Sequence, residues 1–227
     1  YNGTTLTKNT DYTVSYGQNI NAGTDAGTVT ITGKGTYYGT ITKKFTINRA
    51  SISGSTVTLD SSSCTYDRAA HTPKVTSVVL GKKTLTAGTD YTFSTVTATN
   101  AGSYTVTVTG AGNYTGTAKA GYTISKKNIS ELSIADIPDQ PYTGLPVTPA
   151  VTVKHGTYTL VQGTDYTMGY GSNTDAGRAT AYVYGTGNYT GSNSRLFTIC
   201  GTSIKNAVVT LDSSKVTYDR KSHTPVV

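Results

Sequence analysis

The 227-residue chain has no tryptophan, one methionine, two cysteines, three phenylalanines and six prolines. Two cysteines cannot staple a chain this long in the way small secreted scaffolds are stapled. Charged residues are also scarce, at 14% of the sequence, roughly half the usual share. The 19 Lys and Arg behind the formal charge of +7 lie singly or in pairs, at Lys43–Lys44, Lys82–Lys83 and Lys126–Lys127. Nucleic-acid-binding modules cluster such residues with stacking aromatics, so no nucleic-acid partner is expected. At most, the scattered charge favours weak attraction to anionic wall polymers or membrane surfaces. No apolar run approaches the ~18 residues of a membrane-spanning helix, so membrane insertion is not expected. There is no Asp-x-Asp-x-Asp run and no Cys/His pair at zinc spacing, and His71, His155 and His223 lie far apart. No metal site and no cofactor is expected.

What is abundant points one way. About a fifth of the residues are threonine, joined by 18 tyrosines and 25 glycines, and β-branched and aromatic residues interrupted by glycine favour many short strands. A hydrophobic fraction of 35% suits several small sandwiches with Thr and Ser on their outward faces better than one large core.

The sequence repeats itself. "GTDYTFST" (88–95) recurs as "GTDYTMGY" (163–170) and "NTDYTVSY" (9–16), and "GAGNYTGT" (110–117) recurs as "GTGNYTGS" (185–192) and "GKGTYYGT" (33–40). Each stretch closes on "KKFTI" (43–47), "AGYTI" (120–124) or "RLFTI" (195–199), and Tyr66, Tyr142 and Tyr218 are spaced by 76 residues. The repeating unit is therefore about 75 residues long.

Within residues 50–124, short β-rich runs are expected at 55–59, 64–67, 73–80, 90–96, 103–109 and 117–124. Tyr91, Phe93 and Thr95 should share one face, and Tyr104, Val106 and Val108 should point inward against outward Thr105, Thr107 and Thr109. Roughly seven strands in about 75 residues, separated by Gly, Asn, Asp and Pro turns, fit a small immunoglobulin-like sandwich. The short joints "NRAS" (48–51), "SKKN" (125–128) and "CGTS" (200–203) predict a stiff or gently curved rod. The expected parts are residues 1–47 as the C-terminal part of a repeat, 48–124 and 125–199 as complete repeats, and 200–227 as the N-terminal part of another. Together the two partial segments amount to one unit. They are expected to complete one another, head to tail between chains or within one chain, unless they belong to a window of a longer polymer.

The cluster Tyr66, Asp67, Arg68 and His71 in "TYDRAAHTP" (65–73) could in principle run acid–base chemistry. It recurs as "TYDRKSHTP" (217–225), but the copy between them reads "PYTGLPVTP" (141–149), where only the Tyr and the Thr-Pro survive. A polar turn explains this pattern better than an active site, so no catalytic residues and no enzyme activity are expected. The recurring Asp11, Asp90 and Asp165 are expected to cap turns. Cys64 and Cys200 occupy non-equivalent positions in different repeats and are expected to be free thiols. In the third copy, "RATAYVYG" (178–185) should point Ala179, Ala181 and Val183 inward and Tyr182 and Tyr184 outward. With Tyr158 and Tyr170 nearby, these could form an aromatic platform.

The order Thr-Tyr-Asp-x-x-x-His-Thr-Pro, Leu-Thr-x-Gly-Thr-Asp-Tyr-Thr, Asn-Ala-Gly, Gly-x-Gly-Asn-Tyr-Thr-Gly and Phe-Thr-Ile resembles the tandem immunoglobulin-like repeats of Gram-positive bacterial surface proteins, of the YDG and mostly-beta groove types. The resemblance implies an extracellular location at the cell surface or wall, and a non-catalytic role as an adhesin stalk or fibre. The alternative it leaves open is a module binding a host glycan or host protein, through Tyr158, Tyr182 and Tyr184.

Overall fold

The computed structural model describes every residue from Tyr1 to Val227. The chain is all-β, with 47% of its residues in strands of several sheets. The one helical element is a single 3-10 turn at Ile129–Glu131. Two compact units, Tyr1–Lys127 and Asn128–Val227, divide inside the "SKKN" joint. No helix is long and apolar enough to cross a membrane.

The first unit opens with β1 (Tyr12–Tyr16), β2 (Gly23–Gly33) and β3 (Thr40–Ile47), an antiparallel sheet in that order. Val14 lies opposite Ile31 and Ile31 opposite Ile41, so strand alternation puts all three on one face. That face is thinly covered, for Ile31 is 37%, Phe45 43% and Ile41 60% exposed.

The rest of the unit comprises β4 (Ala50–Ser51), β5 (Thr56–Leu59), β6 (Ser63–Thr65), β7 (Val75–Leu80), β8 (Lys83–Thr84), β9 (Tyr91–Phe93), β10 (Gly102–Gly110), β11 (Tyr114–Thr115) and β12 (Thr117–Ser125). They form a four-stranded sheet β6-β12-β10-β9, a three-stranded sheet β5-β7-β8 and a parallel pair β4 and β11. Alternation along β10 buries Val106 and Val108 and leaves Thr105 and Thr109 exposed. Ile52, just after β4, is fully buried in a cluster with Val78, Leu85, Tyr91, Val108, Tyr114 and Ala118. Burying such a side chain is worth about 1.5–3 kcal/mol. Tyr91 and Phe93 share a face, as expected, with Tyr91 buried and Phe93 half-exposed. Phe93 pairs with Val108 and shares its face, yet β9 is a three-residue edge strand with no strand beyond it to cover the ring.

The second unit contains β13 (Lys127–Asn128), β14 (Ser133–Ile134), β15 (Gln140–Pro141), β16 (Val153–His155), β17 (Tyr158–Thr159), β18 (Tyr166–Gly171), β19 (Gly177–Gly185), β20 (Tyr189–Thr190) and β21 (Ser192–Cys200). Its sheets are β15-β21-β19-β18, β14-β16-β17 and the pair β13 and β20. The four-stranded sheet has the strand order of β6-β12-β10-β9, and both carry a parallel outer pair. Its core holds Ile129, Val153, Ala179, Ala181, Val183, Tyr189, Phe197 and Ile199. Residues 201–227 contain no strand and are exposed throughout. The segment has the sequence of strands but no partner strand to pair with, and isolated strands are not stable in water.

Matched sequence positions make matched hydrogen bonds. Asp11, Asp90 and Asp165 each accept, through Oδ2, the backbone N–H four residues earlier, at 2.8, 2.9 and 2.9 Å. These carboxylates cap turns, as the sequence predicts. In the glycine motif, Gly33, Gly110 and Gly185 donate N–H to the carbonyls of Gly39, Gly116 and Gly191, each at 2.9 Å. A Cβ at any of the three donors would stand 2.6–2.7 Å from a backbone nitrogen, so only glycine fits there.

Candidate functional sites

The polar cluster of the first unit is assembled by one tight turn. Asp67 Oδ1 accepts from the Ala69 N–H at 2.8 Å and from the His71 Nε2–H at 2.9 Å. Arg68 sits at φ +71°, a left-handed conformation that costs a non-glycine residue about 1–2 kcal/mol. His71 is fixed by two backbone hydrogen bonds with Ala98, at 2.8 and 3.0 Å. The bond from His71, and then that from Ala69, holds the Asp67 carboxyl below the usual carboxylate range.

The related sequences form the same local turn. In the strandless segment 201–227, Asp219 accepts from the Lys221 N–H at 3.0 Å and from His223 at 3.2 Å, and Arg220 lies at φ +64°. In the second unit Thr143 Oγ1 accepts from the Leu145 N–H at 3.3 Å, and Gly144 occupies φ +74°. One local turn thus forms with Asp-Arg or with Thr-Gly, and forms with no sheet around it. Its side chains satisfy the turn's own backbone, as short polar residues do at such corners.

The aromatic candidates separate. Along β19, Ala179, Ala181 and Val183 are fully buried, while Tyr182 and Tyr184 are 39% and 45% exposed. Their rings stack with centroids 6.4 Å apart and planes 23° from parallel. Each ring also leans across the adjacent strand: Tyr184 lies over Gly169 and Tyr182 over Gly171, each 3.2 Å from where a Cβ would be. The stack therefore covers the bare backbone of β18, a packing role familiar from strand glycines. Tyr158 is not part of this stack. It lies on β17, in the other sheet, opposite His155. Tyr170 Oη donates to the Pro149 carbonyl at 2.7 Å.

Several side-chain pairs were not legible in the sequence, because their members are far apart along the chain. Lys83 Nζ donates to Tyr114 Oη at 2.7 Å and lies 5.2 Å from the ring centroid, and that bond raises the lysine's pKa. His155 and Tyr189 meet edge to face at 5.8 Å, and Tyr1 and Tyr37 do so at 6.3 Å. Tyr122 Oη donates to Cys64 Sγ at 3.0 Å. This bond and burial push the phenol up to about 12. Both cysteines are free, Cys64 half-buried and Cys200 exposed.

No three His, Cys, Asp or Glu side chains come together in a metal-ligating group. An apolar cleft of about 650 Å³ opens on the β1–β3 sheet, lined by Leu6, Tyr12, Ile31, Tyr37 and Ile41 among others. No protein-family model, curated protein or solved structure matches the chain.

Proposed function

We propose that this chain is a non-catalytic structural segment of a bacterial cell-surface protein. It is an array of small immunoglobulin-like sandwiches that projects or polymerises as an extracellular stalk or fibre, with partial sandwiches completing one another head to tail. The observation that carries this reading is the Asp-Arg turn. Its candidate acid–base pair, Asp67 with His71, corresponds in the second unit to Thr143 and Val147, and Thr143 with Gly144 builds the same corner without a titratable group. The matched strand orders and glycine turns support the array, in which each repeat contacts only its neighbours.

Stretching single molecules between attachments at both ends tests it. Residues 48–124 and 125–199 should unfold in two separate steps of similar length, each releasing up to roughly 270 Å for about 75 residues at ~3.6 Å apiece. Unfolding in one step would refute an array of independent units.

A second reading is favoured by the Tyr182–Tyr184 stack, which presents two half-exposed, nearly parallel rings. Such a surface suits a glycan or an aromatic-rich protein patch. Glycan-array binding lost in the Tyr182→Ala, Tyr184→Ala double variant would establish an adhesin module. An unchanged blank array would favour the stalk.

A further inference from the structure

The cleft on the β1–β3 sheet matches a filled site elsewhere in the same unit. Around Ile52, the cluster is built by Leu85, Tyr91, Val108, Tyr114 and Ala118. The repeat places Leu6, Tyr12, Ile31, Tyr37 and Ile41 at the corresponding positions, and all five line the cleft. The residue corresponding to Ile52 is Ile204, within "SIKNAVVTLDSSKVTYDRKSHTPVV" (203–227), which follows "SISGSTVTLDSSSCTYDRAAHTPKV" (51–75) position by position without a gap. Ile52 is fully buried, whereas Ile204 is 84% and Tyr218 83% exposed.

We propose that the β1–β3 face binds residues 202–218 of a second copy of this chain. The proposal rests on the array reading and gives its head-to-tail contact a register. In the filled site, Tyr114 and Thr115 pair in parallel with Ala50 and Ser51, and the Ile52 N–H donates to the Thr115 carbonyl at 2.9 Å. Transferred to the cleft, Tyr37 and Tyr38 pair with Thr202 and Ser203, the Ile204 N–H donates to the Tyr38 carbonyl, and the Ile204 side chain enters the cleft. Further along, Thr123, Ile124 and Ser125 pair with Ser63, Cys64 and Thr65. Their counterparts set Lys215, Val216 and Thr217 beside Thr46, Ile47 and Asn48, extending the open edge of β3. This is strand addition to an exposed sheet edge, with an apolar anchor between two short stretches of backbone pairing. Because donor and acceptor are different surfaces, the contact is heterologous and propagates into open chains.

Sedimentation of the full 227-residue chain over a concentration series tests the proposal. Two variants are used, Ile204→Asp to disable the donor and Ile41→Asp to disable the acceptor; both side chains are more than half exposed, so each isolated chain keeps its fold. The wild-type mass should climb with concentration past that of a dimer, and each variant alone should stay at 23.7 kDa. An equimolar mixture of the variants retains one good contact and should reach twice that mass and no more. This gain on mixing also shows that both variants are folded. The proposal is overturned if the wild type stays monomeric throughout, as closure within one chain would make it. It is equally overturned if Ile204→Asp associates like the wild type, or if the mixture remains monomeric. Such a failure leaves the array reading intact, because the two-step unfolding of residues 48–124 and 125–199 does not involve this face.

Discussion

Ile52 and Ile204 hold the same place in two copies of one sequence and differ in coverage, fully buried against 84% exposed. Truncating each to alanine is therefore a controlled comparison. Ile52→Ala removes roughly three carbon groups at about 0.8 kcal/mol each, and the cavity left among Val78, Leu85, Tyr91, Val108, Tyr114 and Ala118 adds to that. Large-to-small changes at such sites cost about 2–5 kcal/mol, and with five of the six neighbours in paired strands the site cannot easily collapse. A loss of about 3 kcal/mol is expected. In a domain of roughly 75 residues each kcal/mol moves Tm by roughly 4–8 °C, so the transition of residues 48–124 should fall by on the order of 12–24 °C. Ile204→Ala at low protein concentration should stay within about 0.5 kcal/mol of wild type. Scanning calorimetry at dilute concentration separates the two. Similar shifts for both variants would show that the copies are not covered differently, and would remove the basis for matching the cleft to the Ile52 site.

Gly110→Ala places a Cβ 2.6 Å from the Thr115 backbone nitrogen, whereas Gly169→Ala meets the movable Tyr184 ring at 3.2 Å. Chemical denaturation should show the first costing more than about 2 kcal/mol and the second about 1 kcal/mol or less. Asp67→Ala should cost no more than about 1 kcal/mol, since the carboxylate is half exposed. The folded-state pKa of Asp67 is depressed, so its contribution is complete above the ordinary carboxylate pKa of about 3.9 and is lost as pH falls through the lower folded value. Stability curves of wild type and variant should therefore converge in strong acid and separate on returning to neutral pH. A gap that instead widens toward acid would contradict the assigned hydrogen bonds.

The strands were legible where the side-chain alternation was local. β10 and β19 follow from Val106 and Val108, and from Ala179, Ala181 and Val183, without reference to neighbours, because a period of two on a half-buried strand leaves one solution. The turns were legible for a similar reason. The spacing Gly-x-Gly-x-Tyr-x-Gly is needed by a closure whose first glycine has its Cβ position blocked by backbone and whose other two take positive φ, and the Asp of each "TDY" caps the residue four before it. What was not legible depends on which sheet a strand joins. Nothing local in the sequence separates Tyr158 from Tyr182 and Tyr184, but β17 belongs to the sheet of β14 and β16. Phe93 has the alternation of an inward residue, yet β9 is an edge and the ring stays half-exposed.

The sharpest case is the pair of segments 51–75 and 203–227. Related strings of residues give strands β5 and β6 and a buried isoleucine in one place, and only turns and exposed side chains in the other. Their local propensities are alike, and the Asp-His turn at 67–71 re-forms at 219–223, so what is local survives the change of surroundings. What differs is the partner. β6 exists because β12 lies beside it, and β5 because β7 does. Burying the apolar side chains of these strands repays the entropy of ordering them only when a second surface receives them. Residues 203–227 thus keep the turn of the related segment 51–75 without its strands.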